Sequence, residues 1–101
     1  MKKQEAIIIY TDNGNQRMHQ LKTVEPYFSA AERGDKTFEV RKFDRDYRVG
    51  DFLTLSHYDP ETNKLGRNVI KRVTYMLTDA PYVPEGYVIL GMVDDAPVIK
   101  Y

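Results

Sequence analysis

The segment Thr23–Lys42, "TVEPYFSAAERGDKTFEVRK", changes its hydrophobic period at a single glycine. Before Gly34, the residues Val24, Tyr27, Phe28 and Ala31 recur at i, i+3, i+4 and i+7. That is the spacing of a helix with one apolar stripe facing a core. Thr23 is the N-cap candidate, Pro26 falls in the first turn where a missing N–H is tolerated, and Gly34 occupies the left-handed position that ends a helix. After Gly34 the period falls to two. Phe38 and Val40 alternate with Thr37, Glu39 and Arg41, so the strand is expected to turn Phe38 and Val40 to the core and Glu39 and Arg41 to the other side.

Strand patterns flank this switch in both directions. Upstream, "AIIIY" and "RMHQLKT" read as two strands within residues 5–22, joined at Asn13-Gly14, a pair that tolerates the positive φ of a tight hairpin. Downstream, "FDRDYRVGD" is a polar connection that turns at Gly50-Asp51 into "FLTLSHY". "DPETNKLG" is a hairpin loop, "RNVIKRVTYML" a long strand expected to bend or bulge, and "YVILGMV" a buried final strand. Neither repeats nor linkers interrupt the 101 residues, so one domain over 1–101 is expected. Five to six mainly antiparallel strands with one main helix make an α+β fold, most simply a small curled or closed β-barrel with the helix over one side.

The composition narrows the chemistry. Lys plus Arg equals Asp plus Glu at 15 each, so any contact with nucleic acid has to rest on a local patch and not on a global field. The absence of cysteine excludes disulfides, thiolate nucleophiles and cysteine-based zinc sites. With two histidines, no metal centre is expected, and no cofactor motif is present. The apolar run "AIIIY" is too short for a signal-peptide core, and nothing approaches a membrane-spanning length, so a cytoplasmic monomer without membrane contact is the expectation.

The charges of Gly34–Arg41 admit two readings. On an open face Glu39 and Arg41 are an exposed ion pair worth about 0–1 kcal/mol. Beside a cleft between strand and helix, Arg41 would offer its planar fork of donors to a phosphate, carboxylate or base edge, and Glu39 would orient it or accept from exocyclic amines. Lys36 either caps the helix C-terminus or enters the same cleft. Lys64, Arg67, Lys71 and Arg72, with Arg45 and Arg48, are either a solvated hairpin face or a basic rim tracking phosphates. Among Tyr47, Tyr58, Tyr75, Tyr82 and Tyr87, one or two rings are candidates for stacking on a base. His19 reads as a hydrogen-bonded structural residue.

Gly34-x-Lys36-x-x-Glu39-x-Arg41 resembles the GxKxxExR hallmark of ASCH domains, relatives of the PUA superfamily. The likeness extends over about residues 19–93, through "HQLKT", "EPYF", "DRDYRVGD", "LGR", "RVTYML" and "EGYVILGM", to an ASCH-related family of unknown function in bacteria and phages. Residues 1–17 fall outside it. The resemblance implies a PUA-like barrel with a helix beside a cleft, and RNA binding with Lys36, Glu39 and Arg41 lining that cleft. One ASCH branch is an amidohydrolase acting on N4-acetylcytidine, with a lysine at the place of Lys36 and a threonine three residues later. Here that later position is Glu39, so the threonine role does not carry over. Phe43 also departs from the asparagine usual there.

The leading expectation is therefore a module that binds RNA or a nucleotide-like ligand through Lys36, Glu39 and Arg41, with Arg45, Arg48, Arg67 and Arg72 as outer backbone contacts. The alternatives are an amidohydrolase on an acylated nucleoside, with Lys36 as its base, and an accessory domain that meets a protein partner through the Asn13-Gly14 hairpin or the final strand.

Overall fold

In the computed structural model, residues 7–11 and 14–98 are described. Six strands and one helix follow in order: β1 (Ile7–Thr11), β2 (Gly14–Thr23), α1 (Tyr27–Arg33), β3 (Phe38–Lys42), β4 (Phe52–Asp59), β5 (Lys64–Leu77) and β6 (Tyr87–Asp94). All six strands join one sheet in the order β1-β2-β4-β5-β6-β3. Every neighbouring pair is antiparallel except β2 and β4, which run parallel with Met18 opposite Phe52 and Thr23 opposite His57. That parallel pair needs a crossover, and α1 with β3 forms it. The long strand β5 is bulged between Val73 and Tyr75, as its length suggested. Of the expected first turn, Asn13 lies outside the described residues, while Gly14 begins β2 at φ 93°.

Hydrogen bonding does not close the sheet, so the ladder of a closed barrel is not formed among the described residues. β1 and β3 are its edges. The sheet nonetheless curls, because side chains from β3 and the loop after it reach β2. Among the described residues β1 pairs with β2 from Gly14 to Met18. Arg45 Nη1 donates to the Gln20 carbonyl at 3.4 Å and Arg41 Nη2 to the Lys22 carbonyl at 3.1 Å. Carbonyls two residues apart on a strand point to the same edge. Arg17 Nη1 crosses the same seam to the Asp46 carboxylate at 2.5 Å and to its backbone carbonyl at 3.0 Å. Arginine side chains thus bridge β2 and the β3 side of the sheet where no backbone ladder joins them among the described residues.

The core lies inside the curl. Leu21 of β2, Leu53 and Leu55 of β4, Val73 of β5, and Val88, Leu90 and Met92 of β6 pack with Phe28 and Ala31 of α1 and with Tyr47. Each of the larger side chains contributes about 1.5–3 kcal/mol by leaving water. α1 is shorter than its sequence pattern. Pro26 is its N-cap without a side-chain cap, so Thr23 ends β2 and is not the cap. Glu25 holds the first turn instead, accepting from Ser29 N at 2.9 Å and Ser29 Oγ at 2.6 Å, and these bonds lower the Glu25 pKa. Of the expected stripe, Phe28 and Ala31 are buried, whereas Tyr27 is 54% exposed. Gly34 ends the helix as expected, at φ 86° with its N–H on the Ala31 carbonyl at 3.1 Å.

Candidate functional site

β3 faces the opposite way from its sequence reading. Glu39 is 2% exposed, while Phe38 and Val40 are 44% and 50% exposed. The strand turns its charged side inward and its apolar side out. The cause is what Glu39 meets inside. Arg41 Nε and Nη2 donate to Glu39 Oε1 at 3.0 and 2.8 Å, and Lys36 Nζ bonds Glu39 Oε2. A buried carboxylate is tolerated only when paired and hydrogen-bonded, and here each oxygen has a cation. Arg41 is fixed further by the Lys22 carbonyl and by Thr23 Oγ1 at 3.2 Å, and Thr23 Oγ1 in turn donates to the Leu21 carbonyl.

Lys36 enters this cluster because the helix ends in a fixed way. With Gly34 in the left-handed conformation, the backbone N–H groups of Asp35 and Lys36 both return to the Ala30 carbonyl, at 2.9 and 3.0 Å. The chain is thereby folded back so that Lys36 Nζ also reaches the Phe38 carbonyl at 2.6 Å and lies 5.3 Å from the Phe38 ring centre. Capping of the helix carbonyl end falls to another lysine. Lys71, buried on β5, donates Nζ to the Ala31 carbonyl at 2.8 Å and bonds Asp94.

Lys36, Glu39 and Arg41 line one pocket of about 460 Å³, shared with Lys22, Thr23, Val24, Tyr27, Phe38 and Val40. Its walls are mostly apolar, and its charged lining holds three cations against one carboxylate. Spare donors remain. Arg41 Nη1 has no partner among the described residues, Lys36 Nζ has used two of its three hydrogens, and Lys22 Nζ sits 4.8 Å over the Tyr58 ring without a hydrogen bond. The pocket can therefore offer donors to an anionic group beside exposed aromatic and aliphatic surface.

The remaining expected site residues lie outside this pocket. Arg45 lines a separate concavity with Arg41 and Tyr47, its guanidinium 5.8 Å from the Tyr47 ring. Arg48 pairs with Asp46 at 2.9 Å. Arg67 grips Glu32 with two bonds of 2.7 and 2.6 Å, which lower the Glu32 pKa and raise its own, and stacks 5.2 Å over Phe28. Arg72 pairs with Asp95 at 2.7 Å beside yet another hollow. Each of these four arginines lies within salt-bridge distance of an acid, Arg45 with Asp44 at 3.8 Å. Tyr47 is buried, which raises its pKa, and none of the five tyrosines considered for stacking lines the pocket. Tyr27 and Lys22 do, and sequence reasoning missed both. Tyr27 was hidden in the helix stripe, and Lys22 is one of many exposed strand lysines.

His19 is a buried structural residue, its Nε2 2.7 Å from Asp51 Oδ2 and its ring 4.7 Å from that of Tyr47. Asp51 also accepts the Arg48 N–H at 3.0 Å, which ties the seam loop to β2. Among the described residues no group of three His, Cys, Asp or Glu is placed to hold a metal ion, and no helix is long and apolar enough to cross a membrane.

Residues 18–92 match the family model for a domain of unknown function, DUF3850, so the chain belongs to that family. The match runs from within β2 through most of β6, and takes in the whole Lys36–Glu39–Arg41 cluster. No curated protein matches the chain.

Proposed function

We propose that this member of the DUF3850 family binds RNA or a nucleotide-like ligand in the pocket between α1 and β3. The observation that carries the reading is the meeting of Lys36, Glu39 and Arg41 in one concavity whose other walls include exposed Tyr27, Phe38 and Val40. Small-ligand sites combine apolar walls with a few convergent polar groups, in volumes of roughly 300–1,000 Å³. A base has a π-face for the aromatic wall, and its sugar-phosphate offers acceptors to the cations. Glu39 serves mainly to hold both cations in place. The likeness to ASCH domains supports the same reading, and a PUA-like barrel is its architectural counterpart.

Amide hydrolysis is less favoured by the geometry. Lys36 Nζ is engaged by the Phe38 carbonyl and the Glu39 carboxylate, and Glu39 stands where the hydrolase branch carries a threonine. The test is a titration of isotope-labelled protein with short RNAs and single nucleotides at low salt, following backbone amides. Binding at this pocket moves the amides of residues 36–41 and of Lys22. If those amides stay fixed at millimolar ligand, the proposal fails. Acetate release from N4-acetylcytidine that disappears in Lys36→Ala would instead restore the hydrolase.

A further inference from the structure

Resting on that reading, we infer that the pocket takes a nucleotide with a terminal phosphate monoester, and that Lys22 is the residue that selects for the phosphate. Three observations converge on this. Lys22, Lys36 and Arg41 face the pocket against the single carboxylate of Glu39, so two positive charges are unbalanced among its lining residues. A phosphate monoester carries close to two negative charges near neutral pH, whereas an internal phosphodiester carries one.

The second observation is where the unused donors are. Glu39 consumes Nε and Nη2 of Arg41 and one hydrogen of Lys36, leaving Arg41 Nη1 and a Lys36 hydrogen. Lys22 also lines the pocket, and its exposed ammonium has no hydrogen bond among the described residues. It rests on Tyr58, outside the lining, and would swing from that ring to meet a phosphate. Arg41 ties these groups together by bonding the Lys22 backbone carbonyl. The third is size. About 460 Å³ lies in the lower part of the small-ligand range, which suits one nucleotide unit and not several stacked bases.

Such a phosphate has two sources, a free mononucleotide or the phosphorylated end of an RNA. Calorimetry at low salt separates them, using a nucleoside monophosphate, the matching nucleoside, and a short RNA with and without an end phosphate. The expected result is at least about tenfold tighter binding of the phosphorylated partner in each pair. Lys22→Gln should abolish that preference, and Lys64→Gln, at the start of β5 and outside the pocket lining, should preserve it. Lys22 is exposed, and an unchanged amide spectrum confirms that the variant is folded. Tight binding of the monophosphate alone identifies a free nucleotide, and tight binding of both identifies either source as acceptable. Equal affinity with and without phosphate, or an unaltered preference in Lys22→Gln, overturns the inference. If RNA still moves the pocket amides in that case, the broader binding proposal survives. If no ligand moves them, both fall.

Discussion

Arg41 donates to the backbone carbonyl of Lys22 across the seam between β3 and β2, at 3.1 Å. The same guanidinium holds Glu39 with two further bonds, so one side chain serves both the candidate pocket and the curl of the sheet. Replacing it by lysine keeps the charge and removes the fork. Arg41→Lys is expected to lower stability by about 1–2 kcal/mol and to weaken ligand binding together with it. Urea unfolding measures the first and calorimetry the second. Unchanged stability would mean that the seam is held without Arg41.

Glu39 sits between two cations and is almost wholly buried. Glu39→Gln preserves the shape and removes the charge that both need. The expected loss is about 2–3 kcal/mol, since Lys36 and Arg41 are left partly desolvated without a counter-ion. Added phosphate should recover part of that loss if the pocket accepts anions. A variant as stable as the parent would show that the cluster is not what turns β3 inward.

Gly34 is in the left-handed region, and a Cβ placed on it would meet nothing within 4 Å. The cost of Gly34→Ala is therefore backbone strain alone, about 1–2 kcal/mol, with Gly34→Asn costing less. Thermal melting of the two variants gives the order. Equal melting temperatures would remove the conformational reason for glycine at the start of the Gly34–Arg41 motif.

Asp46 joins Arg17 and Arg48, and the hydrogen bond from Arg17, followed by that from Arg48, lowers its pKa from 3.8 to about 2. A carboxylate whose folded pKa is depressed adds stability above its unfolded pKa and loses it as the pH falls through the folded one. Acid titration of the fold should therefore show a loss beginning near pH 4 and continuing toward pH 2. Asp46→Asn should flatten this portion of the curve, and salt should reduce it, because the pair is exposed. An identical acid profile in the variant would contradict the assignment.

The sequence revealed the elements more fully than their surroundings. Gly34 as the helix end, β4, the bulged β5 and the last strand are all written in local spacing. Thr23 looks like a helix cap, yet its hydroxyl is engaged by the Leu21 carbonyl within β2 and by Arg41 from β3, a partner that local spacing does not reveal. For β3, alternation separates two faces without saying which one is inside. The inversion depends on Lys36 and Arg41 compensating Glu39, and on an edge position beside a pocket that leaves Phe38 and Val40 uncovered. The basic rim likewise looked open because Glu32 and Asp95, the partners of Arg67 and Arg72, are distant in sequence.

The crossover between β2 and β4 has a consequence for how the protein is made. Residues 34–41 leave the ribosome well before β6, against which β3 is laid with Phe38 opposite Gly91. In the folded protein the arginine fork reaches the Lys22 carbonyl from a strand whose ladder partner is β6, the last strand made. The pocket residues are thus synthesised well before the strand that holds β3 in place. A nascent chain halted before Tyr87 would carry the whole Gly34–Arg41 motif and yet have no pocket to show for it.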